Sequence, residues 1–331
     1  MSAANAERPS VYLRTYLAPL APMLERPDVT DIFVNRPGEI WIETVQGRQE
    51  RHAAPGLDET LLWRLARQIA SFSSQGVSRE HPLLSAILPG GERVQIVAPP
   101  ATRGSLALAV RKQVLADLSL ADYADAFGDV RIDGSSEAET INARLRALLE
   151  ARRFMEFLKL AVRARKNIVV AGGTSTGKTT FLNALIKEIP PDERLILIED
   201  TPEIQLSHAN GAGLVAVRGS QGEAQVTVDD LVGAALRMRP DRIILGELRG
   251  AEAASFLRAI NSGHPGSITT VHADSPKGAM EQIALLALKA GLNLGRDEIL
   301  HYVGGIVDVF VQLNRREGSR VVSEIRFGRQ G

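Results

Sequence analysis

No cysteine occurs in the 331-residue chain, which excludes disulfides and thiolate-held zinc. Neither charge sign is in excess: Lys plus Arg and Asp plus Glu both count 39, so no bulk positive charge suits the protein to a nucleic-acid backbone. Aromatic residues make up only 5%, too few for a platform on which bases stack. Direct nucleic-acid binding is therefore not expected. No apolar run approaches the roughly eighteen residues of a membrane span, and the opening stretch Met1 to Ser10 lacks the apolar core of a signal peptide. These absences predict a soluble cytoplasmic protein, with any membrane association peripheral or through a partner.

What is present is ordinary globular material, 44% hydrophobic and 24% charged, in a chain long enough for two domains. Its focus is Gly172-Gly173-Thr174-Ser175-Thr176-Gly177-Lys178-Thr179, followed by Thr180. An apolar run, Ile168 to Ala171, precedes this stretch, and Phe181 to Ile186 continues as a helix. The order strand, glycine loop, helix fits the phosphate-binding pattern G-x-x-x-x-G-K-[ST]. Glycines let successive N–H groups turn toward one anion, and the helix points its positive end at the same place. Lys178 would reach the β- and γ-phosphates of ATP, and the Thr179 hydroxyl would ligate Mg²⁺.

Before the loop, residues 1–112 read as a small α+β domain with an antiparallel sheet. Val29 to Val34 and Glu39 to Thr44 flank the turn Asn35-Arg36-Pro37-Gly38 as a hairpin, and Pro19 and Pro22 interrupt any helix over 11–25. Leu61, Leu62, Leu65, Ala66, Ile69 and Ala70 mark a helical face with Asp58 as N-cap. Leu83 to Leu88, Arg93 to Val97 and Leu106 to Arg111 read as strands. Alternation puts Arg93 and Gln95 on one face, and the plain reading of Arg93 and Arg111 is a solvated strand face. Residues 113–135 form the expected linker, and Ser136 with Glu139 opens a helix.

From residue 136 to 331 strands and helices alternate, predicting a mainly parallel sheet with helices on both faces. Leu195 to Ile198 ends in Glu199, Asp200 and Glu203; Arg242 to Leu245 ends at Glu247; Ser267 to Val271 ends in His272. Ligands of open parallel sheets bind outside the carboxyl ends of the strands, so these groups should share one edge with the loop. Phosphoanhydride hydrolysis needs carboxylates that orient water and hold Mg²⁺. Glu247 is the stronger candidate for that metal and water role, with Glu199 and Glu203 next and Asp200 capping the loop. His272 either senses the γ-phosphate or ties two loops together, and His264 is a loop residue at the same edge.

With these segments assembled, the chain resembles the traffic ATPases of bacterial type IV secretion systems, in the short conjugation-type form of the secretion ATPase superfamily. The matching segments are the loop at 172–179, the acidic box Leu197 to Glu203, the segment Ile243 to Gly250 and the histidine box Ser262 to His272. Val34 to Glu39, Leu84 to Pro89, Gly91 to Ile96 and Val110 to Lys112 match toward the N-terminus. The resemblance implies a RecA-like P-loop ATPase domain and a homohexamer that powers substrate export or pilus assembly with inner-membrane components of the system. It also implies that Arg93 and Arg111 reach the phosphates when the domains close, with Arg249 contacting a neighbouring subunit. The absence of a four-cysteine module separates the chain from type II secretion ATPases. Its expected end, a hairpin of Ile306 to Leu313 and Val321 to Phe327, differs from the terminal helix of pilus retraction motors. A type IV or tight-adherence pilus motor is the alternative within the class, and a DNA-binding translocase of conjugation the alternative outside it.

Overall fold

The computed structural model describes residues 11–113, 120–121, 137–217, 222–291 and 294–328. Most of the expected linker, and the cap expected at Ser136, lie outside them.

Two short helices, α1 (Val11–Leu17) and α2 (Ala21–Glu25), separate at the prolines and lead into a six-stranded sheet. Its strands are β1 (Val29–Val34), β2 (Gly38–Thr44), β3 (Gln49–Ala54), β4 (Leu83–Ile87), β5 (Arg93–Val97) and β6 (Ala107–Arg111), with α3 (Glu59–Phe72) between β3 and β4. The order is β3-β2-β1-β6-β5-β4, and every pairing is antiparallel. Asp58 caps α3 by accepting the Leu61 N–H at 2.7 Å, and Leu62, Leu65 and Ile69 of that helix pack against Ile32, Ile42, Val94 and Ile96.

The other face of this sheet is not solvated. Phe33, Val97, Ala107 and Ala109 enter a second core together with Ile196, Ile198, Leu214 and Leu231 from the C-terminal part. Gln95 is therefore buried rather than exposed beside Arg93 as alternation implied, and its carbonyl oxygen accepts from the Ser85 hydroxyl at 2.6 Å.

Helices α4 (Glu137–Glu150) and α5 (Phe154–Arg163) lead into the second sheet. Its elements follow as β7 (Ile168–Gly172), α6 (Lys178–Ile186), β8 (Leu195–Glu199), β9 (Gly211–Val215), α7 (Val228–Leu236), β10 (Arg242–Leu245), α8 (Glu252–Asn261), β11 (Ile268–Val271), α9 (Pro276–Lys289), α10 (Arg296–Ile306), β12 (Val309–Arg316) and β13 (Ser319–Phe327). The order is β13-β12-β7-β11-β10-β8-β9, parallel throughout except for the terminal β12–β13 pair. Side chains from α4, α5 and α6 cover one face, and those from α7, α8, α9 and α10 the other. Thr227 and Asp230 form a reciprocal capping box at the start of α7.

The closing hairpin begins later than its apolar run suggests. Ile306 belongs to α10, and β12 runs on through Arg316 to a tight turn at Glu317 and Gly318. The polar strand β3 and the glycine-containing β9 are additions at the sheet edges.

Candidate active site

Parallel register puts the carboxyl ends of β7, β11, β10 and β8 side by side: Val271 is level with Ala171, and Leu245 lies between Thr269 and Ile198. The segments leaving those ends surround a cavity of about 480 Å³. Residues 173–180 form its floor, and Glu199, Glu203, Glu247 and His272 enter from the neighbouring strands. Gly172, the last residue of β7, is buried just beneath.

Gly177 is in the left-handed region at φ +91°, the turn that delivers the chain into α6. The Thr176 hydroxyl pins the loop by donating to the Gly173 carbonyl at 2.9 Å. Lys178 folds back and donates to the carbonyls of Gly172 at 2.9 Å and Gly173 at 3.2 Å. Burial pushes its ammonium below the usual lysine range, and the nearby Glu247 carboxylate opposes that shift.

A polar chain continues from this lysine. His272 Nε2 lies 3.3 Å from Lys178 Nζ and 2.9 Å from Glu247 Oε1. Arg249 donates to the other Glu247 oxygen from Nε at 2.8 Å and from Nη2 at 2.5 Å, while its Nη1 lies 3.5 Å from Asp200. The bond to Glu247 raises the pKa of Arg249. Arg249 thus lies beside the site within its own chain, whereas His264 turns away and donates from Nδ1 to the Pro240 carbonyl at 3.0 Å.

The acidic box divides its work. Glu199 is buried and holds the chain after β8: its Oε1 accepts the N–H groups of Glu203 at 2.9 Å and Ile204 at 2.8 Å. Glu203, fixed in this way, accepts from the Thr179 hydroxyl at 3.1 Å. Glu199 therefore acts as an anchor, and Glu203 and Glu247 are the carboxylates nearer the loop's functional groups.

Two arginines here escape a sequence reading. Arg103 reaches across from the N-terminal part, where residues 101–103 pair with the edge strand β9. Val215 N–H donates to Ala101 at 2.9 Å, and Arg103 N–H donates to Gly213 at 3.0 Å. Its guanidinium pairs with Glu199 Oε2, and Nη1 donates to the Ile204 carbonyl at 2.5 Å. Gly213 makes room, because a side-chain carbon there would lie 2.6 Å from Arg103 Cδ. The second is Arg320 of β13, which lines the cavity from the opposite side of the loop. Thr102-Arg103-Gly104-Ser105 carries no periodic signal, and only the local basic run Arg315-Arg316 hints at Arg320.

Arg93 and Arg111 are not brought to this cavity. They face each other in register across β5 and β6, exposed, and line a separate cavity with Phe72, Ile87 and Leu236.

A family model described as Type II/IV secretion system protein matches residues 14–307. The chain is 39% identical over 328 residues to the type IV secretion system protein VirB11 of Bartonella henselae, covering 95% of this chain and 92% of that protein. It is 42% identical over 314 residues to the PtlH homolog of Bordetella bronchiseptica, covering 92% and 90%. Among solved structures, the VirB11 ATPase from the Brucella suis type IV secretion system, in complex with sulphate, superposes with a TM-score of 0.90 at 40% identity, covering 96% of this chain and 98% of that one.

Proposed function

The chain belongs to the type II/IV secretion system protein family, and we propose that it hydrolyses ATP to ADP and phosphate to drive transport by a type IV secretion system. The observation that carries this reading is one cavity in which Lys178 and Thr179 stand within reach of Glu203, Glu247 and His272.

In the proposed cycle, backbone N–H groups of residues 173–179 and the positive end of α6 bind the phosphates. Phosphate oxygens replace the loop carbonyls as partners of Lys178. Glu247, oriented by Arg249 and His272, accepts a proton from the attacking water. A new oxygen–phosphorus bond forms at the γ-phosphate as the bond to the β–γ bridging oxygen breaks. His272, which touches both Lys178 and Glu247, reports the presence of the γ-phosphate to the carboxylate.

Mg²⁺ fits the donor set: it binds through one or two protein oxygens plus substrate phosphates, and the Thr179 hydroxyl with Glu203 beside it supplies that much. Glu247 Oε2 is held by Arg249, whereas among the described residues Oε1 accepts no hydrogen bond and would be the oxygen that holds the ion or its water. Bound there, Mg²⁺ would neutralise charge on the phosphates.

Arg93 and Arg111 can meet the phosphates only by a rearrangement or from a neighbouring copy, and a homohexamer would supply that neighbour. Docking on inner-membrane components of the secretion system completes the proposal.

Lys178→Ala tests the site. Loss of ATPase activity and transport with a wild-type melting curve is expected, whereas wild-type turnover in that variant would refute the assignment. Particle mass with and without a non-hydrolysable ATP analogue tests the ring.

A further inference from the structure

The carboxylates and His272 all reach the phosphate loop from β11, β10 and β8, on one side of β7. On its other side lie β12 and β13, whose contribution to the cavity is Arg320. A side-chain carbon built at Gly177 would lie 2.9 Å from Arg320 Cδ, 3.4 Å from Nε and 3.5 Å from Nη1, so the guanidinium arm runs directly over the glycine that opens α6. Arg315 stands opposite Arg320 in the ladder, which puts both side chains on the same face of the hairpin. Like charges directly opposite each other repel. Among the described residues neither arginine has an ion pair or a side-chain hydrogen bond. The other cations at the cavity are engaged: Lys178 by carbonyls, Arg249 by Glu247, Arg103 by Glu199.

We propose that Arg320 is a nucleotide-binding residue that contacts the α- and β-phosphates, with Arg315 adding to the positive field behind it. This rests on the ATPase reading. Two placements support it. The arginine is a planar fork suited to phosphate oxygens. It also stands across the loop from the groups that handle the attacking water, so its interaction is the same before and after the γ-phosphate leaves. Interactions made equally in ground and transition states lower KM without raising kcat. Arg320 thus sets affinity for ATP and retention of ADP, while Glu247 governs the chemical step.

The test compares wild type, Arg320→Ala, Arg320→Lys and Lys178→Ala as full-length proteins. ADP binding is measured by calorimetry and ATP hydrolysis by steady-state kinetics. Arg320→Ala should weaken ADP binding about tenfold and raise KM for ATP by a similar factor while kcat stays within about twofold. Arg320→Lys should recover part of the affinity, because the charge returns without the fork. Raising salt should weaken ADP binding less in Arg320→Ala than in wild type. If Arg320→Ala binds ADP as tightly as wild type while Lys178→Ala does not bind, the proposal fails and the ATPase reading stands. A collapse of kcat at unchanged KM would also overturn it, by moving the arginine to the reacting phosphate. If wild type itself binds neither ADP nor ATP, the ATPase reading fails first.

Discussion

Replacing Arg103 by alanine would remove a side chain of the N-terminal part that pairs with the acidic box. The Glu199 side chain is 3% exposed and that of Arg103 21%. Removing one partner of a buried ion pair commonly costs about 3–5 kcal/mol, because the other charge is left uncompensated. Here Glu199 keeps two N–H bonds on Oε1, and the alanine variant no longer desolvates a guanidinium, whose pKa burial lowers. Against this, the Ile204 carbonyl also loses its donor, at about 1 kcal/mol. The balance gives a loss of about 2–3 kcal/mol for Arg103→Ala. With a urea m-value of about 3 kcal/mol/M, the unfolding midpoint should fall by about 0.7–1 M at unchanged slope. Activity should fall as well. The N–H of Glu203 is held by Glu199, so loosening that anchor displaces the carboxylate bonded to Thr179, and kcat should drop by about tenfold or more. A double-mutant cycle with Glu199→Gln should give a coupling energy of at least about 1 kcal/mol. A midpoint within experimental error of wild type, or strictly additive mutations, would refute the claim that this pair joins the two sheets.

Glu247→Gln keeps the shape that Arg249 and His272 hold but removes the proton acceptor. Its kcat should fall by about 10²–10⁴-fold while ADP affinity stays within about threefold, and wild-type kcat would exclude Glu247 as the base. His264, half-buried and donating to Pro240, has its pKa pushed below the ordinary 6.5 by burial, with the bond to Pro240 and Asp241 opposing the shift and Arg239 adding to it. The unfolded chain therefore takes up that proton first, so the stability contributed by neutral His264 is present above 6.5 and lost as pH falls through and below it. Thermal melts from about pH 7 down to about pH 5 should fall more steeply for wild type than for His264→Gln, and parallel curves would rule the histidine out.

The sheet edge that gathers the candidate site residues was legible because its signals are local. Each apolar run is followed directly by a chemically distinctive residue, and the loop carries its own glycine pattern. Parallel register then brings Lys178, Glu203, Glu247 and His272 together without further information. Asp58 was readable as a cap for the same reason. The strand β9 was not, since Gly211 and Gly213 weaken its β signal and its place at the edge depends on residues 101–103 pairing with it. Arg103 and Arg320 reach the site through contacts between segments far apart in the chain, and neither sits in a motif. Gln95 was misjudged because alternation identifies two faces of a strand without saying whether the second is covered. Arg93 and Arg111 were expected near the phosphates only through resemblance, and in this chain they occupy another cavity.

That covered second face affects how the protein can be handled. Phe33, Val97, Ala107 and Ala109 belong to the same apolar cluster as Ile196, Ile198 and Leu231. Cutting the chain at the connection between the sheets would bare an oily surface on both pieces, and each would seek its lost partner or aggregate. Affinity tags, truncations and interaction screens for this protein therefore belong on the intact chain.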